Sequence, residues 1–233
     1  MDKFLAAENG PRDTSDSSIA KVTTEDLFRA WESQSLPHYE HPCRKIVFTI
    51  KSHDQGWASE DMIYHKTYQR SYTWFDVGLE RLETRDMEND TSAAPVTQIQ
   101  LRLGPKNDTS ETAGSVVCDI RTVQPPVIQN PSNPSDFIIG HPSLPPATRL
   151  QSNVTAERQA KEHIITWAYD DCTLPESPEG DALEEVGRGR ESATGKFIRN
   201  LKTGDIVTIW ARARFQGWVN IVEDARIDIY WAV

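Results

Sequence analysis

An all-β fold, specifically an antiparallel two-sheet sandwich of jelly-roll type with a short N-terminal helix, is what the sequence predicts. Three observations carry that expectation. Apolar and polar residues alternate through several separate stretches, which is the period of half-buried strands. The helical stretches that parallel crossovers require are missing, so a parallel α/β architecture is excluded. Long polar or proline-rich segments separate the strand-like blocks, as in sandwiches whose loops gather at one rim.

Taken in order, residues 1–21 are polar and acidic and read as a disordered tail. Residues 22–36 read as a short helix packed on an open end of the sandwich. Thr23 caps it, Asp26 stands at the third position, Val22 and Leu27 form a hydrophobic staple, and Leu27, Phe28 and Trp31 give one apolar stripe. The β domain spans 44–233. Ile46, Phe48 and Ile50 alternate with Lys45, Val47 and Thr49 in a first strand that runs into the turn Ser52-His53-Asp54-Gln55-Gly56-Trp57. Ser71 to Leu79 is rich in aromatic and β-branched residues and forms the second strand. A charged loop over 84–95 leads to the alternation of Ile99, Leu101 and Leu103, and then to a strand from Ser115 to Val123.

The proline-rich stretch 124–149 cannot be a central strand and is expected as an extended surface insertion. Residues 151–161 read as a helical or irregular approach to the strand from His163 to Tyr169, and 170–192 as a long, acidic, solvated loop. From Lys196 to Val233 nearly everything reads as strand, with a turn at Lys202-Thr203-Gly204-Asp205 and a break at Gln216-Gly217-Trp218. There, Val207, Ile209, Ala211 and Ala213 share one face, and Thr208, Trp210, Arg212 and Arg214 share the other. About eight strands result.

A net charge of -10 and a pI near 5.1 argue against nucleic acid and anionic membrane as partners. No apolar run approaches the roughly 20 residues that span a bilayer. The N-terminus has no apolar signal core, so a cytoplasmic protein is expected and the sequons at Asn89, Asn107 and Asn153 read as chance. Cys43, Cys118 and Cys172 are widely spaced, which predicts reduced, buried thiols rather than a disulfide or zinc site.

The blocks SHDQGW, YQRSYTWFDV, HIITW and GDIVTIWARARFQGWVN, with the ending IYWAV, resemble a group of fungal proteins that share them and differ in their loops. More loosely, the chain resembles the galactose-binding-like β-sandwich superfamily, which includes sugar-recognising domains attached to some F-box proteins. The blocks cover residues 44–80 and 160–233. The resemblance implies a jelly roll with a ligand site at one loop rim, and it supplies no catalytic residues.

Within the residues themselves, Gln-Gly-Trp occurs twice, at 55–57 and 216–218, each time just beyond a strand. Asp54 precedes the first copy and Asn220 follows the second. An indole plane beside fixed amide, carboxylate or guanidinium groups is what a sugar ring requires. The candidate ligand site is therefore Asp54, Gln55, Trp57, Trp218 and Asn220, lined or supported by Trp74, Arg212 and Arg214. Two plainer readings stand beside it: both tryptophans are core corner-posts, and the arginines pair with carboxylates such as Asp54 or Asp76.

Other chemistries find less support. His38-Tyr39-Glu40 has the spacing of a two-histidine, one-carboxylate iron site, with His141 or His163 as distal ligand and His41 nearby. Pro37 and Pro42 bracket it ahead of the first strand, however, so no metal and no cofactor are expected. There is no G-x-S-x-G elbow, no phosphate-cradling glycine pattern and no calcium-loop pattern. The leading expectation is a non-catalytic, lectin-like module binding a small molecule or glycan. The alternatives are a small-molecule enzyme of fungal secondary metabolism that uses the sandwich mouth, and a scaffold for a protein partner.

Overall fold

The structure, a computed structural model, describes residues 41–57, 67–84, 97–102, 115–133 and 136–232. The expected tail, the helix over 22–36 and nearly all of the 84–95 loop lie outside the described residues. Two antiparallel sheets carry the fold. In the first, β1 (Cys43–His53) lies between β8 (Lys161–Ala168) and β10 (Ile221–Trp231). The second is centred on β2 (Thr73–Thr84), which has β9 (Asp205–Ala213) along one whole side. Its other side is shared. β4 (Ser115–Gln124) pairs with residues 79–84, and β7 (Gln151–Ser152) pairs with Trp74 and Phe75. β3 (Thr97–Arg102) lies outside β4, and β5 (Val127–Gln129) and β6 (Phe137–Ile139) form a separate hairpin.

Strand alternation explains the core directly. Ile46, Phe48 and Ile50 of β1 and Ile165 and Trp167 of β8 are buried against Phe75 and Val77 of β2. Val207 and Ile209 of β9 and Ile227 and Ile229 of β10 pack on the same cluster, as the alternating terminal block predicts. Phe48 meets Trp167 edge-on at 5.3 Å, a favoured aromatic geometry. At the outer edge of its sheet, β10 carries Glu223, Asp224, Arg226 and Asp228, charges that discourage pairing with a further strand.

Two expectations meet a different local structure. Lys196–Asn200 is a short helix, α2, not strand. Gly195 turns the chain with φ +71, and Ile198 and Leu201 then close one end of the core. The 170–192 stretch contains a helix, α1 (Pro178–Glu185), capped by Ser177 with proline in the first turn and Glu179 and Asp181 at its positive end. For 151–161, read as helical or irregular, the irregular form is found: turns after the two-residue β7. Cys43 and Cys118 are buried free thiols, and burial pushes Cys43 up to about 11, whereas Cys172 is exposed. Among the described residues no helix is long and apolar enough to cross a membrane.

The two sheets are fastened at one end by a buried amide. Asn153 is fully buried; its Oδ1 accepts from Ser52 Oγ of β1 at 2.7 Å, and its Nδ2 donates to Thr73 Oγ1 of β2 and to Asn220 Oδ1. Asn220 in turn donates to the backbone oxygens of Trp74 and Arg212. Its burial also removes the Asn153 sequon from reach in the folded chain. Asn153→Ala leaves two buried partners, Ser52 and Thr73, and the half-buried Asn220 without this bond, and should cost about 2–4 kcal/mol in urea unfolding. A cost below about 0.5 kcal/mol would show that the network is not structural.

Candidate functional site

The two Gln-Gly-Trp turns do come together. Gln55 donates from Nε2 to the Trp57 carbonyl at 2.7 Å, and its Oε1 accepts from Val219 N at 3.4 Å. Asp54, fully buried, accepts from Gly56 N and Ala156 N, each at 2.7 Å, and also from Glu157 N. Burial still pushes its carboxyl above the ordinary range, against those three amides. Asp54 thus shapes the turn. Asn220 is equally committed, through the network above. Trp57 stays half exposed, at 52%. Trp218 is partly buried, and its ring partners are Tyr72 at 5.1 Å and Phe215 at 6.5 Å. Arg214 lies over Tyr72 and Phe215, with its guanidinium carbon 5.4 and 4.6 Å from the ring centroids.

Trp74 and Arg212 occupy a different setting. Both are buried on the outer face of the second sheet, beneath the proline-rich segment. Asp76 Oδ2 receives Trp74 Nε1 at 3.1 Å and Arg212 Nε at 3.4 Å. Pairing of Arg212 with a carboxylate, one of the two plainer readings, is therefore the arrangement found. Burial raises Asp76 above its usual range and lowers Arg212, each opposed by the partner's charge. Arg212 Nη1 donates to His141 Nε2 at 2.9 Å, so that nitrogen carries no proton. His163 is elsewhere, beside Tyr68 Oη at 3.1 Å. Among the described residues no cluster of His, Cys, Asp or Glu is arranged to hold a metal ion; His38 and Glu40 lie outside them.

The open groove at this rim was not anticipated from the sequence. It has a volume of about 620 Å³, within the range of small-molecule sites. The segment Tyr68–Tyr72 forms one part of its lining, Arg149 another, and Asp181, Glu184 and Glu185 of α1 a third. Arg70 holds a left-handed backbone, φ +54, rare for a residue with a side chain. Around it, Thr155 Oγ1 donates to Gln69 O and Thr155 N to Thr67 O. Strain of this kind is often kept where a site needs it. Arg149 stands 3.8 Å from Glu184, while Arg190 pairs with both Asp181 and Glu184. Tyr72 joins the parts: its ring lines the groove and rests on Trp218. The signals for this groove were present as TYQRSY and as the Ser-Pro-Glu-Gly-Asp start of α1, but nothing local shows that they meet.

No known protein family, curated protein or solved structure matches the chain.

Burial, with Lys161 adding to it, lowers His163 to about 4, so it is neutral in the folded state. The unfolded chain protonates this histidine near pH 6.5. Stability should therefore be complete above that pH and be lost as pH falls toward about 4, by up to ~1.4 kcal/mol per pH unit. His163→Gln should flatten this part of the stability-pH curve between those limits. Equal slopes for the two proteins would contradict the assignment.

Proposed function

We propose that the protein is a non-catalytic binding module of lectin-like character, taking a small polyhydroxyl ligand such as a saccharide in the groove at the rim. One observation carries this reading: the groove joins two tyrosine side chains to an amide, guanidinium groups and carboxylates within a single open surface. Aromatic faces pack against the C–H side of a sugar ring, and fixed polar groups take its hydroxyls. The twin turns contribute support rather than walls, Trp218 by bracing Tyr72, and Gln55 by linking the two turns. A binding role is favoured over a catalytic one because Asp181 and Glu184 are engaged by arginines.

On this reading the sandwich belongs to the jelly-roll, galactose-binding-like type, within the fungal group that its sequence blocks resemble, and it works in the cytoplasm. Three successive crossings between sheets, β7 to β8, β8 to β9 and β9 to β10, support the jelly-roll assignment. So does the pairing of the last strand with the first.

A glycan array followed by calorimetry on the full chain tests the function. Saturable binding to at least one soluble saccharide is expected, with affinity falling roughly tenfold in Tyr72→Ala through loss of a stacking face. Glu185→Gln, an exposed change, should also weaken it without loss of fold. A blank array, or affinity unchanged in both variants, would refute the reading.

A further inference from the structure

Four buried side-chain atoms without hydrogen-bond partners belong to the walls of two adjoining cavities: Asp76 Oδ1 and Arg212 Nη2 to one, Trp167 Nε1 and Ser192 Oγ to the other. Buried polar groups are normally satisfied, so a cluster of exceptions calls for a cause. The four residues line two cavities of about 170 and 230 Å³, which share Val77, Gln124 and Thr148 in their walls. The sheet itself explains the cavities. β2 is held by β7 as far as Phe75 and by β4 from Leu79 onward, leaving a slot beside residues 76–78. Thr73 O and Phe75 O accept hydrogen bonds on that side from Asn153 N and Leu150 N. By alternation, the Val77 N–H and C=O also turn toward the slot.

We propose that this slot is a second binding site, separate from the rim groove, for a small neutral polyol. The donor and acceptor pattern selects that chemistry. Asp76 only accepts, Arg212 and Trp167 only donate, and Ser192 does either. Hydroxyl groups answer all of them, because each both donates and accepts. Charge selects neutrality. Among the described residues, the charged ones lining the smaller cavity are Asp76 and Arg212, and those lining the larger are Glu191 and Lys196, so each pair cancels. A carboxylate or an ammonium ligand would bring an unbalanced charge into a confined space.

Size and stiffness agree with this. The smaller cavity, at about 170 Å³, has room for a molecule the size of glycerol. Pro125, Pro126, Pro142 and Pro146 line it, with no N–H of their own to satisfy and with fixed φ angles that preform the wall. The four unpartnered atoms are closed to solvent, while Gln124 and Thr148 are exposed side chains at the mouth. Those two side chains move aside for entry. The slot and the rim groove share no lining residue, so the two sites are separable by substitution.

Saturation-transfer NMR and calorimetry with glycerol and xylitol, beside acetate and methylammonium, test the proposal on the full chain. Saturable binding of the two polyols is expected, at least tenfold tighter than either ion. Thr148→Trp, an exposed change that plugs both cavities, should abolish it, and Arg212→Lys should weaken it tenfold or more. Tyr72→Ala, which leaves the lining of the slot untouched, should leave the binding that Thr148→Trp abolishes within twofold. Absence of saturable polyol binding would overturn the proposal. So would binding that survives Thr148→Trp or is lost in Tyr72→Ala, since either outcome places the polyol elsewhere.

Discussion

The buried amide of Asn153 is the interaction on which the rim depends. Its three hydrogen bonds reach β1, β2 and the turn before β10, so one side chain fixes the ends of both sheets. Asn220 extends the tie to the backbone of β2 and β9. Such a network contributes through the cost of breaking it, because buried groups left behind lose their partners. It also imposes register. A one-residue slip of β1 would turn Ile46, Phe48 and Ile50 out of the core and would move Ser52 away from Asn153. Core packing and polar tie therefore demand the same alignment.

Asp54 does for the first Gln-Gly-Trp turn what Asn153 does for the sheets. Its carboxylate gathers backbone amides from two segments distant in sequence, at Gly56 and at Ala156 and Glu157. The segment before β8 is thereby fixed to the end of β1. Ala156 adopts φ +56 and Arg70 φ +54, so two residues with side chains accept left-handed backbone at this rim. The neighbouring hydrogen bonds through Thr155 hold both segments in place. Rigidity of this kind lowers the ordering cost of binding.

Much of the fold was legible because alternation at period two is a local signal. β1, β2, β8, β9 and β10 each announce themselves within ten residues, and the apolar face of Val207 and Ile209 packs where its parity predicts. α1 was also legible, since Ser177, Pro178, Glu179 and Asp181 are a recognisable helix start, but the acidity of the stretch suggested a solvated loop. α2 was less so: five residues of mixed propensity become helical because Ile198 and Leu201 are needed to close the core. The candidate site was half legible. The repeated tripeptide marked the rim where the groove lies, yet Asp54 and Asn220 proved to be spent on backbone and side-chain ties. Tyr68, Tyr72 and the α1 carboxylates carry no local sign of meeting, because about 110 residues and several crossings separate them.

The central claim is that ligand recognition occurs in the groove between Tyr68–Tyr72 and α1. Backbone amide chemical shifts of isotopically labelled protein, followed through a saccharide titration, test it most directly. Saturable shifts concentrated at residues 68–72, 149 and 181–185 are expected, with those at Trp57 staying small. Shifts confined to the Trp57 turn, or none anywhere on addition of saccharides, would contradict it.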